Sequence, residues 1–315
     1  MILMWPPLAI LVSMAVPLGI FIVSMVTIVY GFRQRRSRGF LNRKSSLTRE
    51  LLRPPGYQLQ LRSNDLTDDL QTDLSVGITM PIVLYAAFMT HLAITPGSEF
   101  PWVIAVMFLI GWVAIEIFVI IRTSKTWNER QKVRHGLDGE RAVAEELNRL
   151  MLDGARVFHD VPFTYGNIDH VVVTVSGVYA VETKMYGKLK AGETQAEVIV
   201  DHEQGRLRFP DRSVPIPEKQ VETAVNWLRQ YLKDAVGFEA RVEGMVALPG
   251  WFIKDRIGRS HVFVFNPLNP RRFFFHDNRR ILSAERIQQI AHQLDRLCRD
   301  VEPVSNEPVP QPKSK

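Results

Sequence analysis

The feature that most constrains this chain is where its charges are missing. From Met1 to Gly31 there is no Asp, Glu, Lys or Arg, and from Val76 to Ile121 there are only Glu99 and Glu116. A bilayer core accepts a helix of roughly 20 apolar residues. Three transmembrane α-helices are therefore expected, at about Leu8 to Tyr30, Val76 to Thr95 and Pro101 to Ile121. The first lacks the basic leading region and small-residue cleavage site of a signal peptide, and reads as a retained anchor. Average composition conceals this, since 46% hydrophobic and 23% charged residues are ordinary for a globular protein.

Basic residues beside the spans set orientation. Arg33, Arg35, Arg36, Arg38, Arg43 and Lys44 follow the first segment, and Arg122, Lys125, Arg130, Lys132 and Arg134 follow the third. The short link Pro96–Phe100 has no basic residue. This predicts an inner-membrane protein with its N-terminus outside and everything after Arg122 in the cytoplasm. Trp5, Tyr30 and Trp102 lie near span ends, where interfacial aromatics are expected. The implied organisation is a first span within residues 1–31, a cytoplasmic loop over 32–75 and a helical hairpin over 76–122. A cytoplasmic domain over 123–300 and a disordered, proline-rich tail over 301–315 follow.

Two ionisable residues interrupt the spans, His91 and Glu116. At about 1.5 Å rise per residue they lie roughly 22 Å and 8 Å from the cytoplasmic end. They are read as interfacial or helix–helix contacts, and not as a transport relay. The loop begins basic and ends acidic at Asp65, Asp68, Asp69 and Asp73. Its basic part serves either as a topology determinant or as a contact for anionic lipid headgroups. Net charge is +6, with 9 Lys/Arg against 7 Asp/Glu before Arg122 and 30 against 26 from there on. That balance suits an anionic partner without resembling a histone-like tail. Cys298 is the only cysteine, which excludes an intrachain disulfide and a cysteine-only zinc site.

Beyond Arg134 helix and strand patterns alternate. Asp138 is placed to cap a helix running to about Leu152, with Val143, Leu147 and Leu150 as its apolar stripe and Glu140 on the same stripe. Arg156–His159 reads as a strand. Asn167–Lys184 reads as two β-branched runs joined at Ser176-Gly177. With those two residues as the loop, Val175 faces Val178, Val171 faces Glu182 and Asp169 faces Lys184. Alternation along a strand then puts Asp169, Glu182 and Lys184 on one face at one end. Buried carboxylates need pairing or a metal, so either a structural Asp–Lys pair or a metal-dependent site meets the pattern. His170 points to the other face, as a core or supporting histidine. Glu197–Asp201, Arg206–Phe209, Arg241–Ala247 and His261–Phe265 read as strands, Glu218–Lys233 as a helix, and Ser283 as the cap of a final helix. Arg271, Arg272, Arg279 and Arg280 flank Phe273, Phe274 and Phe275, a pattern of either an edge strand with a buried aromatic face or a nucleic-acid contact. No P-loop, dinucleotide fingerprint or Ser-His-Asp arrangement is present.

Several ordered blocks resemble one known family. Gly136-x-x-Gly139-Glu140, Asn167-Ile-Asp169-His-Val-Val-Val, Gly177-Val-Tyr-Ala-Val-Glu182-Thr-Lys184 and Tyr186-Gly187 are similar to the nuclease-related (NERD) domain. That family is regarded as a branch of the PD-(D/E)XK restriction-endonuclease-like superfamily, and the likeness covers roughly residues 130–235. No Pro precedes Asp169. The resemblance implies an α/β fold, a mixed sheet flanked by helices, here preceded by three transmembrane α-helices. It implies Mg²⁺ (or Mn²⁺) held by Asp169, Glu182, the Thr183 carbonyl and Glu140. Lys184 is then the group that orients the attacking water, and Gln220 positions Lys184 or substrate. The expected activity is phosphodiester hydrolysis of DNA or RNA by a protein anchored in the lipid bilayer. The alternative is a catalytically silent, membrane-tethered nucleic-acid-binding or scaffolding protein.

Overall fold

Charge-free apolar stretches and alternating β-branched runs belong to different environments, and they fold into separate units. The computed structural model describes residues 27, 47, 49–94, 101–188, 196–276 and 280–302. In chain order the elements are β1 (Leu51–Leu52), α1 (Tyr57–Ile94), α2 (Pro101–Asn148), β2 (Arg156–Phe163), β3 (Gly166–Thr174) and β4 (Gly177–Thr183). Then come β5 (Glu197–Asp201), β6 (Arg206–Arg208), β7 (Ser213–Pro215), α3 (Glu218–Val236), β8 (Val242–Ala247) and β9 (Phe252–Ile257). Last are β10 (Val262–Phe265), α4 (Arg271–Phe274), α5 (Ala284–Leu297) and β11 (Arg299–Val301). One unit contains Asn64–Arg130; the other contains Arg49–Ser63 and Gln131–Glu302.

Among the described residues of the first unit, two helices are long and apolar enough to cross a membrane. Their apolar side chains face outward, Ile78 and Met107 among them. The Asp73 carboxylate meets Arg122 Nε at 2.8 Å, and Arg130 Nε donates to Thr67 Oγ1 at 2.8 Å. Glu116 Oε1 accepts from Trp112 Nε1, one turn earlier, at 3.3 Å. The expected first span, its basic flank Arg33–Lys44, Trp5, Tyr30 and the link Pro96–Phe100 lie outside the described residues, as does the tail from Pro303.

The second unit is a mixed α/β fold with helices flanking its sheets. Its central sheet has the order β10-β8-β4-β3-β2. Strands β2, β3 and β4 are successively antiparallel, while β4, β8 and β10 are parallel. A second sheet runs β7-β6-β5-β9, and β1 pairs with β11. Every residue of β4 is buried, as expected of a central strand covered on both faces. On one face Val171, Val173, Val178 and Ala180 pack beneath Val221, Ala224, Val225 and Leu228 of α3. On the other, Val172, Tyr179 and Val181 meet Val143, Leu147 and Leu150.

The structure departs from the sequence reading in several places. Asp138 caps nothing, because α2 runs unbroken through Gly136 and Gly139. Gly139 serves close packing instead: a Cβ there would stand 2.7 Å from Met185 Cβ. The α-helix stops at Asn148 and continues as a 3₁₀ turn over Arg149–Asp153. The hairpin turn falls on Val175-Ser176, with Thr174 opposite Gly177, Val173 opposite Val178 and Val171 opposite Ala180. Gly177, at φ +143°, is the first strand residue, and Ser176 N–H donates to Thr174 Oγ1. The partner moves by two positions, so every side chain keeps its predicted face. Phe273 and Phe274 lie on the helical turn α4, not on an edge strand. Phe274 is buried against Tyr179 and Phe265. Strands β7 and β9 were not foreseen.

Two boundaries also shift. Tyr57–Ser75, read as loop, is helical, and Val301, assigned to the tail, pairs with Leu51. The segment Arg49–Ser63 folds into the α/β unit through Arg53. Its guanidinium holds the fully buried Asp160 at 3.1 Å and Asp300 at 2.6 Å. Asp160 sits at φ +51° and also accepts from Gln58 N–H and Asn167 Nδ2. Nothing near Arg53 in sequence announces partners 107 and 247 residues away. Removing one member of a buried pair strands the other charge, at about 3–5 kcal/mol. Arg53→Ala should therefore destabilise the α/β unit by about that amount in chemical denaturation, whereas Arg49→Ala, at an exposed pair, should cost about 0–1 kcal/mol.

Candidate active site at the end of the central hairpin

Continuing the β3–β4 register one step beyond His170 opposite Val181 places Asp169 opposite Glu182. Both carboxylates are buried, on the face beneath α3. Asp169 is fixed by the strand itself, its Oδ2 accepting the Thr183 N–H at 2.7 Å. Glu182 Oε1 accepts two donors at 2.7 Å each, Lys184 Nζ and Gln220 Nε2. Lys184 Nζ also donates to Gln220 Oε1 at 3.2 Å. Gln220 reaches this point because it precedes the buried Val221 in the first turn of α3. The structure thus joins Asp169, Glu182, Thr183, Lys184 and Gln220, with Asp169 across from Glu182 where Lys184 was expected.

Glu140 approaches from α2, one turn before Val143. It is buried, and its Oε2 has no hydrogen-bond partner among the described residues. The Gly56 backbone lies beside it, since a Cβ on that glycine would stand 3.4 Å from Oε2. Burial, with the charges of Asp160 and Glu182, pushes the Glu140 carboxyl up to about 8. Burial, Glu182 and Glu140 hold Asp169 well above the usual carboxylate range. For Lys184 burial pulls the other way, but the Glu182 carboxylate outweighs it and the ammonium is raised. Three acids therefore crowd one cation.

Beneath this cluster the opposite face of β3 carries a polar line that the sequence did not disclose. Thr183 Oγ1 lies 3.2 Å from His170 Nε2, His170 Nδ1 lies 2.9 Å from His159 Nδ1, and His159 Nε2 lies 3.1 Å from Asn148 Oδ1. An amide oxygen only accepts, so His159 donates from Nε2 and accepts at Nδ1. His170 then donates from Nδ1 and accepts the Thr183 hydroxyl at Nε2. Burial lowers His159 to about 4, and burial with the neighbouring His159 ring holds His170 well below the usual imidazole value, so both rings are neutral at physiological pH. Of these residues, sequence reasoning placed only His170 on this face. Asp160, Arg53, His159 and Asn148 left no local signature.

Among the described residues no three of His, Cys, Asp or Glu form a ready-made metal cage. A magnesium ion does not need one, because it keeps several waters and takes one or two carboxylates. The buried, unpartnered Glu140 Oε2 and the Asp169 carboxyl, held well above its usual range by burial and the neighbouring acids, are the chemistry such an ion would relieve. The donor set therefore fits a hard divalent cation.

Residues 135–249 match the nuclease-related domain family (NERD). The matched stretch carries Glu140, Asp169, Glu182, Lys184 and Gln220, and it makes that part of the chain similar to nuclease-related proteins. No curated protein and no solved structure matches the chain.

The raised carboxyls set a pH dependence. Unfolded Glu140 titrates near its ordinary 4.5 and folded Glu140 near 8. The folded state thus holds a proton that the unfolded state has released, and stability falls as pH rises through that window. Thermal melting of the full chain in detergent and EDTA should drop in temperature between pH 5 and 8. Glu140→Gln should flatten that slope. Mg²⁺ should restore the wild-type melting temperature most at the alkaline end, where it competes with fewer protons.

Proposed function

We propose that this chain is a membrane-anchored, divalent-cation-dependent phosphodiester hydrolase acting on DNA or RNA, of the PD-(D/E)XK kind. The observation that carries this reading is the convergence of Asp169, Glu182 and Lys184 on one face of β3–β4, beside the unpartnered Glu140. The match of residues 135–249 to the nuclease-related domain supports it. Phosphodiester hydrolysis needs charge neutralisation on the phosphoryl oxygens and a hydroxide-like nucleophile. Mg²⁺ or Mn²⁺ held by Asp169 and Glu182, with Glu140 and the Thr183 carbonyl, would supply both. Lys184 presents a compact charge to the attacking water and to the charge that develops on the phosphate. Gln220 restrains it, and Glu182 keeps it protonated.

The scaffold reading has one supporting feature: Glu182 Oε1 is already occupied by Lys184 and Gln220. Incubation with labelled DNA and RNA in Mg²⁺, Mn²⁺ or EDTA separates the two, cleavage in metal alone identifying the enzyme. Lys184→Ala should reduce cleavage on the order of 100- to 1000-fold, as loss of an electrostatic donor does. Lys184→Arg should rescue only in part. Lys188→Ala should behave as wild type. Cleavage by Lys184→Ala at the wild-type rate would sink the assignment.

Membrane placement is part of the proposal, and rests on the apolar windows of α1 and α2 and on the basic residues after Ile121. Three spans, an outside N-terminus and a cytoplasmic α/β unit form the arrangement we infer. A reporter active only outside the cytoplasm should work when inserted between Thr95 and Pro101, and fail when fused after Arg134. The reverse pattern would separate the α/β unit from cytoplasmic nucleic acid.

A further inference from the structure

Across the central sheet from the carboxylates lies a second group of charged and aromatic side chains. A cavity of about 590 Å³ is lined by Phe252, Lys254, Asp255 and Arg256 of β9, Phe263 of β10, and Arg272 and Phe273 of α4, among others. The Arg256 guanidinium lies 4.3 Å above the Phe263 ring, and that of Arg272 lies 4.6 Å above the Phe273 ring. Neither guanidinium has a carboxylate partner among the described residues. Arg256 Nη2 donates to the Val264 carbonyl at 2.5 Å, and its Nη1 is buried with no partner. Burial and the charge of Arg272 depress the Arg256 pKa. Two mutually repelling cations are thus held together by stacking. Of the other charges here, Lys254 is paired with Glu197 at 2.7 Å, and the Asp255 carboxylate accepts the Arg256 backbone N–H at 2.8 Å.

A half-buried cation such as Arg256, with its Nη1 enclosed and no anion beside it, is costly unless something supplies one. Beside them Phe252 is 64% exposed and Phe263 39% exposed, so two rings are available to a flat, apolar partner. Cations interleaved with accessible aromatics are the chemistry of single-stranded nucleic-acid grooves, where phosphates meet guanidinium groups and bases stack. Paired bases in a duplex cannot offer their faces to a ring. Position agrees with this chemistry. Glu182 is in register with Val246, and Val246 with Val264, whose carbonyl holds Arg256. At about 4.8 Å per strand, the Val264 backbone that anchors Arg256 lies some two strands, about 10 Å, from the Glu182 backbone, on the edge strand β10. Phe263, in register with Met245 and Val181, stands on the other face, so a nucleic-acid strand reaches the carboxylates around that edge.

We propose that the Arg256–Arg272 pair with Phe252 and Phe263 is a subsite for a single-stranded nucleic acid, gripping a phosphate and stacking a base of the strand whose scissile bond lies at Asp169 and Glu182. The inference rests on the hydrolase reading for its orientation, but the subsite binds whether or not the carboxylates turn over. It gives the enzyme a preference for strand ends, flaps or single strands over intact duplex.

The test is fluorescence anisotropy of the full chain in detergent, in EDTA so that no cleavage intervenes. The probes are a labelled 12-nucleotide single strand and the matching duplex. Wild type should bind the single strand at least 10-fold more tightly than the duplex. Phe252→Ala and Arg272→Ala should each weaken single-strand binding about 5- to 50-fold, and Arg272→Ala should reduce the salt slope of log K by about 0.7. Phe252 and Arg272 are exposed, so melting temperatures should hold; Arg272→Lys, which keeps charge but loses the planar stack, should fall between. Single-strand binding unchanged in the double variant Phe252→Ala/Arg272→Ala overturns the subsite, as does equal or tighter binding of duplex by wild type. Absence of nucleic-acid binding by wild type overturns it too. Cleavage, assayed separately, speaks only to the hydrolase reading. An active enzyme indifferent to these substitutions keeps that reading and loses the subsite, while substitution-sensitive binding without cleavage does the opposite.

Discussion

Like charge packed into one corner of a sheet is the constraint around which the α/β unit is organised. Glu140, Asp169 and Glu182 are all buried, and the Glu182 charge raises the cost of ionising both of the others. A hydrophobic core would expel such a group unless its geometry were imposed from outside. Here it is imposed three ways. The strands hold Asp169 through the Thr183 N–H, α3 holds Glu182 through Gln220, and α2 delivers Glu140 on the stripe that packs against Val172 and Val181. Lys184 balances one negative charge and leaves the rest for protons or a cation. The same crowding that weakens the fold is what a divalent cation, held as proposed, would relieve.

The legible part of this site was legible because a strand has a period of two. Asp169, Glu182 and Lys184 could be placed on one face without knowing the turn, since the actual turn, one residue earlier on each strand, moves partners by two and preserves faces. The register itself was not legible. Gly177 fits both the second position of a tight turn and the first position of a strand at positive φ, and only the Thr174–Ser176 hydrogen bond distinguishes them. The glycines near Glu140 misled for a related reason. A glycine within an apolar pattern marks either a helix start or a close approach, and Gly139 is the latter, pressed against Met185. Arg53 and Asp160 were invisible because their contact spans 107 residues, and His159 and Asn148 because theirs depend on how neighbouring elements pack.

The neutral histidines under β3 show how a site can be stiffened without adding charge to it. A cation beneath Thr183 would add a further buried charge beside the backbone N–H that donates to Asp169. An apolar side chain would leave the Thr183 hydroxyl buried and unpaired, at about 1–3 kcal/mol. A line of neutral donors and acceptors, Thr183 to His170 to His159 to Asn148, satisfies each group once and ends on an amide oxygen, which only accepts and so sets the direction. Direction matters, because with His159 fixed as acceptor at Nδ1, His170 has one tautomer and the Thr183 side chain one orientation. The peptide that donates to Asp169 is therefore held from both faces of the sheet, by a carboxylate on one and a hydrogen-bonded hydroxyl on the other. Rigidity at that peptide fixes Asp169 among the repelling acids, and on the histidine side it comes from residues with no charge of their own.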